Sequence, residues 1–167
     1  PPPPGGRGLF GLLQEAQLIN LKGIVMKLYF AYGSNMLQDQ MKERCPGHKY
    51  FGHGILKGFR WIITTRGYAN IIKSEKDEIH GVVYRINAED ESTLDKAEGV
   101  HSGSYWKETL RVEVEKTCYP CLVYVDPIEV EGRPKDEYIG RINRGVSDAE
   151  LNPEYVERYI RKFIPLQ

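Results

Sequence analysis

The sequence predicts an α+β domain built on a small mixed β-barrel-like sheet with flanking helices, and three observations lead there. Several short strand-like segments carry glycines at their bends, helices follow these strands rather than alternating with them, and 167 residues suffice for one domain with its own core. No strict strand–helix alternation favours a parallel doubly wound sheet, and no internal repeat is visible.

Residues 1–25 are set apart from the rest. PPPPGG is low-complexity and cannot form a packed element, and Leu9, Leu12, Leu13 and Ala16 after it fall at helical spacing. The segment lacks the uninterrupted apolar region and small-residue cleavage site of a signal peptide. It is read as an N-terminal extension outside the core, ahead of a natural start at Met26, with the domain spanning 26–167.

Within that domain, Lys27–Tyr32 predicts a strand and Gln38–Arg44 a short helix ended by Pro46-Gly47. Tyr50–Thr65 is strand-like, and Gly52, Gly54 and Gly58 mark bends or close backbone contacts within it. Ala69–Lys73 and Glu78–Ile86 predict two more strands around a charged turn, Ser74–Asp77. Asp90–Glu98 predicts a helix capped by Asp90 or Ser92, with Leu94 and Ala97 pointing inward and Gly99 at the position after the last helical residues. Tyr105–Glu115 and Cys118–Asp126 alternate as a strand pair around Glu115–Thr117. Helices over Lys135–Arg144 and Pro153–Phe163 close the chain, the second with Pro153 in its first turn.

Composition narrows the function classes. Lysine plus arginine (23) balances aspartate plus glutamate (23), which argues against nucleic acid or an acidic membrane as partner, and no apolar run reaches the length of a membrane span. Three cysteines, Cys45, Cys118 and Cys121, do not form a disulfide framework and point to a reducing, cytoplasmic setting. Cys118-Tyr119-Pro120-Cys121 runs into the strand Leu122–Val125 instead of opening a helix, so the pair reads as two strand cysteines. The histidines His48, His53, His80 and His101 show no metal-ligand spacing.

Two stretches carry possible chemistry. After the strand, Tyr32-Gly33-Ser34-Asn35 is either a plain turn or a nest of backbone N–H groups for a carboxylate; neither a nucleotide loop nor a nucleophile elbow fits it. In Leu94-Asp95-Lys96-Ala97-Glu98-Gly99-Val100, Glu98 falls in the last helical turn, where the dipole disfavours a carboxylate. With partial burial its pKa would rise toward the range of a neutral-pH acid/base; the alternative is a surface glutamate before a capping glycine.

Together these stretches resemble the γ-glutamylcyclotransferase family. The matching pieces are LYFAYGSNM at 28–36, EIHGVVYRI at 78–86, LDKAEGVHSGSYW at 94–106, Tyr138 in DEYIGRINRGV, and LNPEYVERY at 151–159, in the family's order and covering nearly everything after Met26. The resemblance implies a compact barrel-like α+β fold whose strand-to-loop segment holds a γ-glutamyl group. That role carries over to Tyr29, Phe30, Ala31, Tyr32, Gly33 and Ser34, with Asn35 as loop support. It makes Glu98 the general acid/base and Tyr138 a substrate contact, with Tyr105 packing under the pocket. Relatives acting on γ-glutamylamines carry a different loop, and the Ser34-Asn35 pair fits the dipeptide-acting branch.

The implied reaction folds a γ-glutamyl amide so that its α-amine attacks the γ-carbonyl, giving 5-oxoproline and a free amino acid or amine, with no metal or cofactor required. The implied partner is a small-molecule γ-glutamyl substrate, without nucleic acid or membrane, for a monomer or homodimer. Two alternatives stay open: a non-catalytic metabolite-binding module of the same fold, and a pathway-specific enzyme that removes a γ-glutamyl protecting group.

Overall fold

The computed structural model describes Gln17–Ile19, Gly23 and residues 25–167. The helical spacing of Leu9, Leu12, Leu13 and Ala16 lies outside the described residues. Six strands form the sheet: β1 (Gln17–Ile19), β2 (Val25–Ala31), β3 (Lys49–Ile63), β4 (Ala69–Ile86), β5 (Trp106–Val114) and β6 (Thr117–Val125), in the spatial order β1-β2-β4-β3-β5-β6. A parallel pair at Tyr29↔Leu122 brings β6 back to β2 and closes five strands into a barrel, while β1 pairs antiparallel with the start of β2. The helices are α1 (Gln38–Arg44), α2 (Ala88–Ala97), α3 (Asp136–Asp148) and a single turn α4 (Pro153–Tyr155) that continues as a π-helical stretch, Val156–Ile160. No helix among the described residues is long and apolar enough to cross a membrane.

Closure explains the composition of β2. Leu28, Tyr29, Phe30 and Ala31 are all buried, because one face of the strand looks into the barrel and the other is covered. A fully buried Trp61 on β3 donates its indole N–H to the Tyr32 carbonyl at 2.9 Å, which anchors the exit of β2. Between β5 and β6 the turn is Glu115-Lys116, both with positive φ, as a two-residue hairpin of this twist requires.

The structure corrects several expectations. Ser74–Asp77 does not reverse the chain: β4 runs continuously from Ala69 to Ile86 along β3, and its last residues also pair with β2. The register passes from Lys57↔Glu78 to Phe59↔Lys73, so Gly58 alone, at φ +88°, faces the four residues Ser74–Asp77. These residues form a wide bulge, and their turn-like composition reflects a solvent-facing excursion within a strand. The cap of α2 is Asn87, not Asp90 or Ser92. Its side chain accepts from the Asp90 N–H at 2.8 Å while Asp90 reaches back to the Asn87 N–H, a capping box that starts the helix earlier. Leu94 is buried as expected, but Ala97 is exposed. The last helix is interrupted: only its first turn, capped by Asn152 with Pro153 following, is α-helical. Both Cys118 and Cys121 lie on β6 as free thiols, and burial pushes the Cys121 thiol up to about 12.

Candidate active site

A cavity of about 280 Å³ opens where β2 stops. Its walls come from places distant in sequence: the end of β2 with the turn after it, Arg44 on α1, the C-terminus of α2, the β3–β4 connection at Arg66 and Tyr68, Tyr105 ahead of β5, Tyr124 on β6, and Tyr138 and Arg141 on α3.

The turn is a single 3₁₀ loop closed by Met36 N–H to the Gly33 carbonyl (3.1 Å) and Leu37 N–H to the Ser34 carbonyl (3.0 Å). A methyl group at Gly33 would come within 2.9 Å of the Tyr138 hydroxyl, so this position admits only glycine without displacing that ring. The Tyr138 hydroxyl accepts from the Ala69 N–H at 3.3 Å and stands against the turn at Gly33. Serine and tyrosine hydroxyl groups supply much of the polar surface.

Asn35 holds the turn from below. It is buried, its Nδ2 donates to the Tyr29 hydroxyl at 3.0 Å, and its carbonyl accepts from the Tyr84 hydroxyl at 2.9 Å. Its Oδ1 accepts from Gln40 Nε2 (2.8 Å) and from Arg44 Nη1 (3.0 Å), two residues one turn apart on α1.

Glu98 is the C-cap of α2, its N–H bonded to the Leu94 carbonyl at 2.8 Å, and Gly99 follows in the left-handed region at φ +64°. The helix is tied down just before it: Asp95 accepts from the Tyr124 hydroxyl (2.7 Å) and from Lys107 (3.1 Å), while Glu91 pairs with Lys27 (2.8 Å) and Lys107. Strands β2, β5 and β6 thus fix the turn that delivers Glu98 to the cavity.

Electrostatically the site is one acid among bases. Glu98 is the only carboxylate in the cavity wall among the described residues, alongside Arg44, Arg66, Arg141 and Lys96. Burial pushes the Glu98 carboxyl above the ordinary glutamate range, and Arg44, Arg66 and Arg141 hold that rise back. Arg66 is paired with Asp126 (2.9 Å) and lies over the Tyr105 ring; Arg141 lies over the Tyr138 ring and pairs with Glu137 (2.8 Å). The buried Nε of Arg141 has no hydrogen-bond partner among the described residues. Burial, with the Glu98 charge adding to it, raises the phenols of Tyr29, Tyr105 and Tyr138, which therefore stay protonated at neutral pH.

Of the residues singled out in the sequence, Tyr29, Phe30, Tyr32, Gly33, Ser34, Asn35, Glu98 and Tyr138 line the cavity, whereas Ala31 is buried behind it. Tyr105 lines it too, its hydroxyl spent on the Ala69 carbonyl at 2.9 Å. Sequence reasoning missed the three arginines, Gln40, Tyr68 and Tyr124. Arg141 had a signal, standing three residues after Tyr138 on one helix face, and Gln40 and Arg44 share a face at i, i+4. Nothing local marks Arg66, which reaches the site only through the β3–β4 connection.

A family model described as "AIG2-like family" matches residues 78–159. The chain is similar to the gamma-glutamylcyclotransferase of Homo sapiens, 30% identical over 142 residues that cover 78% of this chain and 76% of that protein. It is likewise similar to the gamma-glutamylcyclotransferase of Mus musculus, 32% identical over 145 residues covering 78% and 76%. A solved structure of a gamma-glutamyl cyclotransferase superposes with a TM-score of 0.72 at 30% identity, across 78% of this chain and 84% of that one.

Proposed function

The chain belongs to the γ-glutamylcyclotransferase family, and from that premise we propose that its Glu98 cavity cyclises a γ-glutamyl dipeptide to 5-oxoproline with release of the second amino acid. The observation that carries this reading is the isolation of Glu98: one carboxylate with a raised pKa, set into a wall of fixed hydrogen-bond donors and cations.

A γ-glutamyl dipeptide carries its own nucleophile, and the enzyme's task is to fold it and move protons. Ser34, Tyr138 and the turn at Gly33 receive the substrate's α-carboxylate, which places the α-amine near Glu98. Glu98 takes a proton from the α-ammonium. The freed amine attacks the γ-carbonyl, forming the ring C–N bond, and the carbonyl oxygen takes up charge against nearby donors. Collapse breaks the original amide C–N bond as Glu98 returns its proton to the departing amine. The ring nitrogen then gives up its second proton, which Glu98 passes to the same amine so that it leaves as an ammonium, the carboxylate is regenerated and no other reactant is consumed. A carboxylate with the usual glutamate pKa would be a weak base for the first step; burial raises its basicity, and the arginines keep the group ionised so that it can accept the proton. The excess of cations over the single acid also favours a leaving group that carries a carboxylate over a neutral amine.

The test is a panel of γ-glutamyl dipeptides, γ-glutamylamines and glutathione scored for 5-oxoproline. Turnover of dipeptides above amines is expected. Failure of every substrate to release 5-oxoproline, in protein that still binds it, would leave a binding module of the same fold.

A further inference from the structure

The hydrogen bonds beneath the turn have a direction, and that direction determines what the cavity can bind. An arginine side chain can only donate, an amide offers one acceptor and two donors, and a hydroxyl can do either. Arg141 Nη1 donates to Gln40 Oε1 at 3.2 Å, which orients the Gln40 amide with its NH₂ toward the turn. That NH₂ donates one proton to Ser34 Oγ at 2.7 Å and the other to Asn35 Oδ1 at 2.8 Å. Arg44 Nη1 also donates to Asn35 Oδ1, so the Asn35 NH₂ faces the Tyr29 hydroxyl and donates to it at 3.0 Å. Two relays therefore start at arginines, pass through amides and end on hydroxyl oxygens as acceptors. Each terminal hydroxyl, Ser34 and Tyr29, keeps its own proton for the cavity it lines.

We propose that Gln40, which does not line the cavity, is a positioning residue that makes Ser34 and Tyr29 obligate donors, so that the subsite accepts only acceptor groups such as a carboxylate or carbonyl. This rests on the reading of the cavity as a γ-glutamyl site. Without Gln40 the Ser34 hydroxyl rotates freely and presents a proton part of the time. With an acceptor in place of the Gln40 NH₂, the Ser34 proton turns away from the cavity. Asn35 then faces an acceptor on one side and is oriented by Arg44 alone, which loosens its hold on the Tyr29 hydroxyl as well.

The experiment compares Gln40→Glu with Gln40→Ala, reading KM and kcat for a γ-glutamyl dipeptide and the affinity for 5-oxoproline by calorimetry. Gln40→Glu keeps the shape and the Arg141 contact but can only accept. It is expected to raise KM about tenfold, the scale of a donor lost to a charged acceptor, while kcat changes little. Gln40→Ala is expected to raise KM only about two- to threefold. A merely structural role predicts the reverse order, with the isosteric glutamate mild and alanine severe; that order would overturn the proposal. Placed in a Ser34→Ala/Tyr29→Phe protein, Gln40→Glu should raise KM no further, and an undiminished effect there would also overturn it. If Gln40→Glu does not fold, Gln40→Met, similar in length and without a donor, should match Gln40→Ala, and an unchanged KM would count against the relay. A wild-type protein that binds 5-oxoproline without turnover would count against catalysis, while the same order of binding affinities would still support the role of Gln40.

Discussion

Two of the cavities among the described residues invite comparison, at different places on the barrel. The first, of about 280 Å³, holds Glu98; the second, of about 360 Å³, lies between the bulge of β4 and the C-terminal helical stretch, around His80 and Tyr155. The second is the larger and has the more unusual core. The His80 and Tyr155 rings stack at 4.5 Å, and His80 Nε2 lies 3.0 Å from a Glu78 oxygen. Among the described residues the buried His80 Nδ1 and the Tyr155 hydroxyl have no hydrogen-bond partner. Yet its rim mixes Glu75, Asp77, Glu78 and Glu154 with Lys57, Lys76 and Arg158, so opposite charges offset one another. In the Glu98 cavity a single carboxylate faces an excess of cations, and Tyr29, Ser34, Asn35, Tyr105, Tyr138 and Arg66 are each held by a second residue. Volume and buried polarity do not distinguish the two; the support behind each donor does.

The largest effect that would break this contrast is at Glu98. Glu98→Gln should lower kcat by roughly 10²–10⁴-fold, the scale of general acid–base catalysis, with 5-oxoproline still bound and the melting temperature not lowered. Near-normal turnover in that variant would remove the basis for singling out this cavity.

Gly33→Ala tests the support behind the turn. The new methyl must displace the Tyr138 hydroxyl, 2.9 Å away, and should raise KM by about tenfold. Removing that hydroxyl with Tyr138→Phe should relieve most of the added cost, so the two changes should be strongly non-additive when KM is measured across the double-mutant cycle. Additive effects would mean that the turn does not depend on Tyr138.

The pH dependence follows from the raised Glu98 pKa. As general base, Glu98 must be ionised, so kcat should fall on the acid side around a value above that of an ordinary glutamate. Stability has the opposite sense: the buried carboxyl costs nothing where it is protonated in both states. Its cost begins above the unfolded-state value and is complete once pH exceeds the folded one. Glu98→Gln should remove both dependences. Arg44 is the first of the groups holding the Glu98 pKa down, so Arg44→Gln should move the acid limb of kcat to higher pH. A limb that stays in place would assign it to another group.

The smallest effect is expected in the second cavity. Tyr155→Phe should leave kcat and KM within about twofold, with the melting temperature unchanged or higher, because the hydroxyl removed has no good hydrogen bond. A loss of activity there would couple the two cavities and undo the comparison.

Much of the architecture was legible along the chain because it rests on neighbours in sequence. Pro46-Gly47 ends α1 where expected, Gly99 takes the left-handed position after Glu98, and Glu115-Lys116 makes a hairpin of two alternating strands. Each depends on backbone geometry within a few residues, which residue type reports directly. Glu98 at the negative end of its helix is also a local fact, readable from the glycine beside it. The bulge at Ser74–Asp77 was misread because a polar excursion has the same composition whether the chain then turns back or continues; only pairing with β3 distinguishes them. The environment of Glu98 belongs to tertiary structure alone. Its pKa depends on Arg44, Arg66 and Arg141, which come from a helix, a strand connection and a second helix and meet only when the Tyr29↔Leu122 pairing closes the barrel. Coulomb interactions and desolvation act through space, so no spacing along the chain encodes them.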